Sequence, residues 1–543
     1  MSDQNKFHPL KNLQFDLPAA LVVFLVAVPL CLGIAKGSEV PPEHLLSGLI
    51  AGMIGGIIVG FLSGSPLGVS GPAAGLIPIV AGVISSHSFE GLLVAVFLAG
   101  IIQIAFGALR LGIIGYYFPN SVIRGMLAGI GLTIILKVLP DIFGLGKDFF
   151  KKFSWAPEEG QLHISELGSQ FMENMNYSVL IISAISILLL IIWEQKFMKE
   201  IRLFQILQGS LIVVIVGIVL KIMFEGMDGI APLTQEQVVN IGDISGFSSF
   251  IALFTFPFSE GFDFLLDPSI YMAAVTIALV ASLETLLCVE ATDKLDPFKR
   301  ITPTNQELYA QGTGNVVSGL IGGLPITQVI VRSSANIQSG GRTKAAAIIH
   351  GFFLVLAVLL FSWLINLIPM ASLSAILLIV GFKLAKPSNF KAMFDKGWDN
   401  FIPFIITIIV ILAEDLLIGI TVGLVIAFLF ILYNNFRLPY FVDKDGNPDN
   451  NTIRLELSQD VTFLHKANML KALQNIPEDS KLIIDGTKSI NIDQDIKDII
   501  EDFKVTAKNK NIVLELIGFH NVDVKNQVVE LEKTIEEKFG AKA

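Results

Sequence analysis

Apolar stretches alternate with short polar connections along most of the chain, from residue 17 to about residue 437. Many hold about 18–22 apolar residues, the length a helix needs to cross a hydrocarbon core about 30 Å thick. The polar residues 1–16 precede the first stretch, which is too long for the apolar part of a cleavable signal. The pattern predicts spanning helices near residues 18–36, 45–62, 91–109, 122–140, 177–193, 203–224, 270–288, 307–323, 344–362, 372–385, 400–413 and 415–432.

Two further apolar runs are broken by glycine and proline: VSGPAAGLIP at 69–78 and GGLPITQVIVRS at 322–333. The apolar run after each break has about a dozen residues, too few to cross a bilayer. Unpaired backbone at membrane depth is tolerated only where it is buried in protein or lines a cavity. We therefore predict half-helices near 72–84 and 326–338, whose positive N-terminal ends share a space that attracts an anion. Two simple kinks in ordinary spanning helices are the alternative.

The elements form two sets of seven, and the broken element is third in both sets. An odd number of crossings per repeat inverts the second copy relative to the first. With the N-terminus inside, most connections that hold Lys and Arg lie in the cytoplasm, whereas residues 222–270, placed outside, hold none. The lysines near 147–152 are the exception. The sequence therefore predicts an all-α polytopic membrane domain with an inverted repeat.

The composition fits a membrane protein and excludes other classes. Hydrophobic residues make up 53% of the chain and charged residues 16%, whereas soluble domains carry about a quarter charged residues. The net charge of -10 argues against a nucleic-acid partner. Cys31 and Cys288 both lie in apolar segments, so neither a disulfide framework nor a cysteine metal site is expected. The histidines lack metal-ligand spacing, and no motif indicates an enzyme.

The character of the chain changes near Pro439, where charged residues become frequent. Strands alternate with helices beyond this point, which predicts a small α/β domain. The predicted strands cover 452–457, 481–485 and 511–517, and the predicted helices 464–473, 492–505 and 524–539. The organisation is then a cytoplasmic tail at 1–16, a membrane domain at 17–437, a linker at 438–450 and the α/β domain at 451–543.

Three segments carry a family resemblance: LPAALVVFLVAVPLCLG at 17–33, VSGPAAG at 69–75 and NQELYAQGTGNVVSGLIGGLPITQVIVRSSANIQSGGRT from Asn305. They resemble the SulP family of inorganic anion transporters, in which fourteen segments precede a C-terminal STAS domain. The resemblance implies the fold of uracil permease-type carriers. In that fold a core domain of elements 1–4 and 8–11 moves against a gate domain of elements 5–7 and 12–14. It also implies a homodimer in the inner membrane, with the N-terminus and the STAS domains in the cytoplasm.

Glu284 lies inside an apolar span, where a carboxylate costs several kcal/mol unless it is paired, protonated or beside a cation. A helix-end acid that reaches the interface is the alternative. The resemblance links the acid at this position of the eighth segment to cation coupling, and we assign the same role to Glu284 and its neighbour Thr285. Some relatives have Asp here and use Na⁺, whereas Glu is compatible with a proton. The coupling ion, Na⁺ or H⁺, therefore stays open, and no cofactor or other metal is expected.

The second half-helix contains Arg332, which matches a basic residue that adds positive potential beside the anion in many relatives. An ion pair with Glu284 is its alternative role. The first turns of both half-helices offer backbone N–H groups to an oxyanion. Phe24 and Leu30 either line the cavity or pack in the core. The predicted substrate-binding residues are Ala73, Ala74, Gly75, Thr327, Gln328, Val329, Ile330, Arg332, Ser333, Phe24 and Leu30.

These features predict a secondary active transporter that moves an inorganic anion by elevator-type alternating access. The resemblance places sulfate or bicarbonate first and dicarboxylates next. Bicarbonate-carrying relatives often have Thr where this chain has Ala73. This difference weakens any assignment of the substrate from a side-chain contact at that position. A passive channel of the same fold, a dicarboxylate/H⁺ symporter and a non-transporting membrane sensor are the alternatives. The expected partners are a small inorganic anion, the lipid bilayer, a second copy of the chain and a cytoplasmic protein that binds the STAS domain.

Overall fold

The structure is a computed structural model, and every structural statement below concerns the residues that it describes. These are 12–113, 118–145, 153–154, 162–163, 167–195, 198, 208–227, 231–242, 244, 246–258, 263–414, 416–436, 440–443 and 452–518.

Helices occupy all fourteen predicted membrane positions. In the first half these are α1 (Leu13–Gly37), α2 (Leu46–Ile54, continued by a π-helical turn, Gly55–Val59, and Gly60–Leu62), α3 (Ile77–Ala108), α4 (Asn120–Ile142), α6 (Tyr177–Trp193) and α7 (Gly209–Glu225), with a short α5 (Leu167–Asn174) before α6. In the second half they are α9 (Pro268–Leu295), α10 (Thr304–Ile321), α11 (Ile330–Gln338), α12 (Ala345–Ile365), α13 (Met370–Leu384), α15 (Trp398–Ala413) and α16 (Leu416–Phe436), with the shorter α8 (Phe247–Ala252) and α14 (Pro387–Asp395) between them. Eight helical segments of the described chain are long and apolar enough to cross a membrane.

The first half-helix and the spanning helix that follows it, the third and fourth elements, together form α3 and are separated by a kink at Ser88. Ser88 has φ 70° and ψ 178°, which interrupts the helical backbone. The predicted elements at 72–84 and 91–109 therefore lie on the two sides of this residue. A strand, β1 (Ser70–Pro72), and a 3-10 turn at Ala74–Leu76 precede the first of them.

The membrane helices pack as two bundles. One contains α1–α3 and α9–α12, and the other contains α4, α6, α7, α13, α14 and α15. Gly419 and Gly423 of α16 lie against Ile411 and Thr407, so this helix joins the second bundle. The bundles correspond to the predicted core and gate, and α1 makes most of the contacts between them.

Glycines on α2 allow the core elements to approach closely. A Cβ atom at Gly55 would lie 2.5 Å from the Ser70 carbonyl oxygen, so β1 rests directly on the π-helical turn. A Cβ atom at Gly56 would lie 2.6 Å from Gly351 Cα of α12. Close packing of this kind is typical of small residues in membrane helices.

The C-terminal region has the α/β architecture that the sequence predicts. Its sheet has the order β10 (Val513–Ile517), β8 (Lys481–Asp485), β6 (Thr452–Leu457) and β5 (Tyr440–Asp443), with β5 antiparallel to β6 and the other pairs parallel. A short parallel pair, β7 (Asp460–Val461) and β9 (Asn491–Ile492), adjoins α17 (Lys466–Gln474) and α18 (Gln494–Asn509). Ile496, Ile499, Ile500 and Phe503 form one buried face of α18 against this core.

Some predictions fall outside the described residues. These are the helix at 524–539, the linker around 445–448 and the lysines near 147–152. Two small strands, β2 (Phe153–Ser154) and β3 (Leu162–His163), pair in the long connection before α5. Internal contacts divide the chain into two units after Leu424, inside α16, so the predicted boundary at 437–438 stays a prediction.

Candidate functional site

The two broken segments meet in a short antiparallel ribbon. β4 (Ile326–Gln328) pairs with β1, with Ser70 opposite Gln328 and Gly71 opposite Thr327. Each strand leads into its half-helix, and three residue pairs span only about 7 Å. The antiparallel pairing of equivalent strands relates the repeats by a local two-fold axis. The N-terminal ends of both half-helices therefore lie close together inside the core bundle.

Glu284 of α9 lies at the start of the first half-helix. The Gly75 backbone N–H faces its carboxyl group. A Cβ atom at Gly75 would lie 2.5 Å from Glu284 Oε2, so only glycine permits this approach. The Glu284 side chain is partly exposed, and Oε2 has no hydrogen-bond partner among the described residues. An acid with a free oxygen is thus held against the positive end of a helix.

Arg332 lies on α11 but is directed away from Glu284. The Arg332 side chain is completely buried, and its Nη2 donates to Cys31 Sγ at 3.3 Å. Its Nη1 packs so closely on Gly71 that no Cβ atom fits there. Arg332 Nε and Nη1 have no partner among the described atoms. The alternative role of Arg332 was an ion pair with Glu284. Both side chains are described, and no nitrogen of Arg332 lies within 4.0 Å of a Glu284 carboxylate oxygen.

Two backbone donors that the sequence predicts to be free are occupied. The Val329 N–H donates to Val69 O at 2.9 Å, and the Gln328 N–H donates to Thr285 Oγ1 at 3.3 Å. The prediction that these two N–H groups face an oxyanion is therefore wrong in this structure, because the ribbon and α9 supply acceptors. The N–H groups of the first turn of α11, from Ile330 to Arg332, have no partner within the helix.

Ser333 holds the ribbon in place. Its Oγ accepts from the Val69 N–H at 3.0 Å and donates to Val329 O at 2.8 Å. Thr327 is fully buried within β4. Binding of substrate by these two residues, through the backbone N–H in the case of Thr327, stays a prediction.

The remaining predicted residues lie near the ribbon or on α1. Ala73 is buried and Ala74 is partly exposed at the start of the first half-helix. Phe24 packs edge to face on Phe353 of α12, with ring centroids 5.9 Å apart, and Leu30 is buried. For Phe24 this contact favours the packing role.

A line of buried polar side chains on α10 was not predicted from the sequence. Glu307, Gln311 and Asn315 are spaced by four residues and completely buried. Gln311 Nε2 donates to Glu307 Oε1 at 2.9 Å and to Ser70 Oγ at 2.7 Å, which anchors β1. Asn315 bonds both backbone groups of Ile326, at 2.6 and 3.0 Å, which anchors β4. The recurrence of polar residues every four positions in a predicted membrane helix is the sequence signal that could have revealed this line.

A bundle of bilayer-spanning helices in two inverted repeats, with two broken helices meeting beside an intramembrane acid, defines a class of polytopic transport proteins. The model of the sulfate permease family matches residues 13–409. The chain belongs to this family, whose members are transporters of small inorganic anions rather than enzymes.

Relatives and solved structures agree with this assignment. YvdB of Bacillus subtilis (strain 168), provisionally named a sulfate transporter, is 29% identical over 79% of this chain and 76% of its own length. The bicarbonate transporter BicA of Picosynechococcus sp. is 25% identical over 79% of this chain and 71% of its own length.

Two solved structures share the fold. The transmembrane domain of a cyanobacterial BicA matches with a TM-score of 0.59 at 22% identity, over 77% of this chain and 97% of that one. SLC26A9 matches with a TM-score of 0.72 at 17% identity, over 99% of this chain and 89% of that one. At these identities the likeness concerns the fold alone.

Proposed function

We propose that the protein is a secondary active transporter that couples uptake of an inorganic anion to Na⁺ or H⁺ through Glu284. The observation that carries the proposal is the position of the Glu284 carboxyl group at the N-terminal end of the first half-helix, with Oε2 unpartnered. A cation bound there neutralises the acid. The positive ends of both half-helices and the Arg332 charge then act on the anion without a competing carboxylate.

Sulfate and bicarbonate are the first substrates to test, because the relatives above carry these names. Neither Ala73 nor Ala74 offers a side-chain donor, so selection rests on backbone N–H groups and overall charge. Both sulfate and bicarbonate present oxygens that such groups bind.

The test is uptake of labelled sulfate and bicarbonate into proteoliposomes, under imposed Na⁺ or proton gradients and with unlabelled competitors that include dicarboxylates. Accumulation above equilibrium that depends on one gradient is the expected result. Flux that only equalises the anion concentrations would contradict the carrier and indicate a channel. Anion binding without flux would indicate a non-transporting sensor.

Two ion pairs between core and gate support alternating access by relative movement of the bundles. Lys36, at the end of α1, lies 3.0 Å from Asp141 Oδ2 of α4. Glu39, just beyond α1, lies 2.7 Å from Lys137 Nζ of the same α4. Glu39 has φ 58°, a left-handed conformation that is rare for a residue with a side chain. We assign this face to the outside, so the pairs close the outer entrance and must separate when it opens.

A cross-link between positions 39 and 137 tests the movement. We expect a Glu39→Cys/Lys137→Cys protein to lose uptake when a short bifunctional methanethiosulfonate joins the two thiols through disulfides, and to regain it when a reductant cleaves those disulfides. The two native cysteines are buried, and each single-cysteine variant serves as a control. Full uptake in the cross-linked protein would rule out an elevator movement at this contact.

We assign the C-terminal unit to the STAS class, in the cytoplasm, and expect a homodimer in the inner membrane. The parallel strands β6, β8 and β10 with α18 support this assignment. Native mass spectrometry of the full chain tests the dimer, and protease access to this unit in oriented membranes tests its side.

A further inference from the structure

Hydrogen bonds connect α9, which carries Glu284, to the ribbon strand β4. The Thr285 hydroxyl accepts from the Gln328 N–H at 3.3 Å, and the Thr292 hydroxyl bonds the Gln328 side-chain amide at 3.1 Å. Both contacts are buried. They tie the residue next to Glu284, and a residue two turns further along α9, to the last residue of β4.

A longer connection starts at Ser282, on the other side of Glu284. Gln103 of α3 donates from Nε2 to Ser282 Oγ at 3.2 Å. Its Oε1 accepts from Asn315 Nδ2 at 2.7 Å, and Asn315 bonds both the N–H and the C=O of Ile326. Ser282 is nearly buried, and Gln103 and Asn315 are completely buried. Four side-chain hydrogen bonds thus lead from the Glu284 segment to the first residue of β4.

The two half-helices differ in how they contact Glu284. The first approaches the acid directly through Gly75, whereas the positive charge of the second, on Arg332, is not paired with Glu284. A change at the acid therefore reaches the second half-helix through the packing of α9 on α11 and on β4, and through the hydrogen bonds between α9 and β4. At membrane depth these bonds resist separation, since no water replaces a lost partner.

We propose that Gln103 and Asn315 are positioning residues that couple the cation at Glu284 to the anion at the start of α11. The proposal rests on the proposed function and adds the route of coupling. Cation binding moves the Ser282–Thr285 segment, and the two connections carry that movement to both ends of β4. The N–H groups of the first turn of α11, which have no partner within the helix, shift with the strand. Coupling of this kind is reciprocal, so the anion must change the cation affinity by the same factor.

The experiment measures anion affinity with and without the cation in the purified full chain. Binding of sulfate and of bicarbonate is titrated in detergent at zero and saturating Na⁺, and across pH, and the ratio of dissociation constants is the coupling factor. For the wild type we expect a factor of about 5–150. Ser282→Ala removes the bond between Ser282 and Gln103, and Gln103→Met removes that bond together with the bond from Asn315. Each should lower the factor to about 2 or less, and the double variant should lose no more.

Thr313→Val is the matched control, because among the described residues the Thr313 hydroxyl bonds only the Tyr309 carbonyl of its own helix. This variant should keep the wild-type factor. The anion affinity without cation should stay within about threefold of wild type in every variant, which a merely unfolded protein would not show. Ser282→Ala deletes a single hydroxyl and provides the test if Gln103→Met does not fold.

The outcomes separate the two proposals. If the wild type binds neither anion, the proposed function fails and the coupling route fails with it. If the wild type shows coupling and both variants keep the full factor, the proposed function stands and the route through Gln103 and Asn315 is overturned.

Discussion

Gly75→Ala tests the placement of Glu284 with a single methyl group. The added Cβ atom would lie 2.5 Å from Glu284 Oε2, 2.9 Å from Cδ and 3.0 Å from Oε1. Ordinary contact begins at 3.4 Å, so the carboxyl group must retreat by about 0.9 Å, the difference between 3.4 and 2.5 Å. The clash is with the end of a flexible side chain, so the fold is expected to survive.

The displaced carboxyl group loses the Gly75 N–H. A hydrogen bond to a charged group contributes about 1.5–3 kcal/mol, and each 1.4 kcal/mol changes an equilibrium about tenfold. We expect the initial rate of gradient-driven uptake in proteoliposomes to fall by roughly 10–100-fold at a fixed cation gradient. The temperature of unfolding should stay close to that of the wild type.

Gly82→Ala is the matched control in the same half-helix. A Cβ atom at Gly82 meets no atom within 4 Å, so this variant should transport as the wild type does. Wild-type uptake by Gly75→Ala, with unchanged ion dependence, would refute the placement of Glu284 at the helix end. Loss of uptake in both variants would show that the half-helix tolerates no added methyl group at either glycine, whatever the position of the Glu284 carboxyl group.

Three other changes test separate parts of the molecule. Glu284→Gln should abolish gradient-driven accumulation in proteoliposomes while the protein elutes as a folded species; uptake with unchanged ion dependence would contradict the coupling role. The charge exchange Lys36→Asp/Asp141→Lys should recover most of the uptake that either single change loses. If the double variant loses as much uptake as the two single losses combined, the two side chains do not form a direct ion pair. In the C-terminal unit, hydrogen bonds from Thr487, followed by the Arg454 ion pair, lower the pKa of Asp485 to about 2 from its usual 3.8. This lowered pKa contributes about 2 kcal/mol of stability that is present above pH 4 and lost as the pH falls towards 2. Asp485→Asn should remove that contribution at pH 7, measured as faster hydrogen exchange of β8, and exchange equal to wild type would contradict it.

Much of the architecture follows from local sequence. All fourteen membrane positions correspond to helices, because the length of an apolar run decides whether it spans the bilayer. The broken segments at 69–78 and 322–333 were recognisable because glycine and proline interrupt a helix wherever the chain folds. The alternation of strands and helices after Pro439 indicated the α/β unit for the same reason.

The tertiary structure decided which groups face the site. The sequence placed Glu284 in the membrane, but only the fold sets it against Gly75, more than two hundred positions earlier in the chain. The fold also places the Arg332 side chain against Cys31. It provides hydrogen-bond acceptors for the N–H groups of Gln328 and Val329. These outcomes depend on partners from distant elements.

Local sequence thus indicates where the helices of the membrane domain lie, where two elements break, and which charges within apolar runs need an explanation. Those properties depend on the residues within one segment and on the thickness of the bilayer. The packing of distant elements sets which backbone donors are occupied and which hydrogen bonds connect the Glu284 segment to β4. The Asn315–Gln103 bond joins residues 212 positions apart, and no local pattern specifies such a partner.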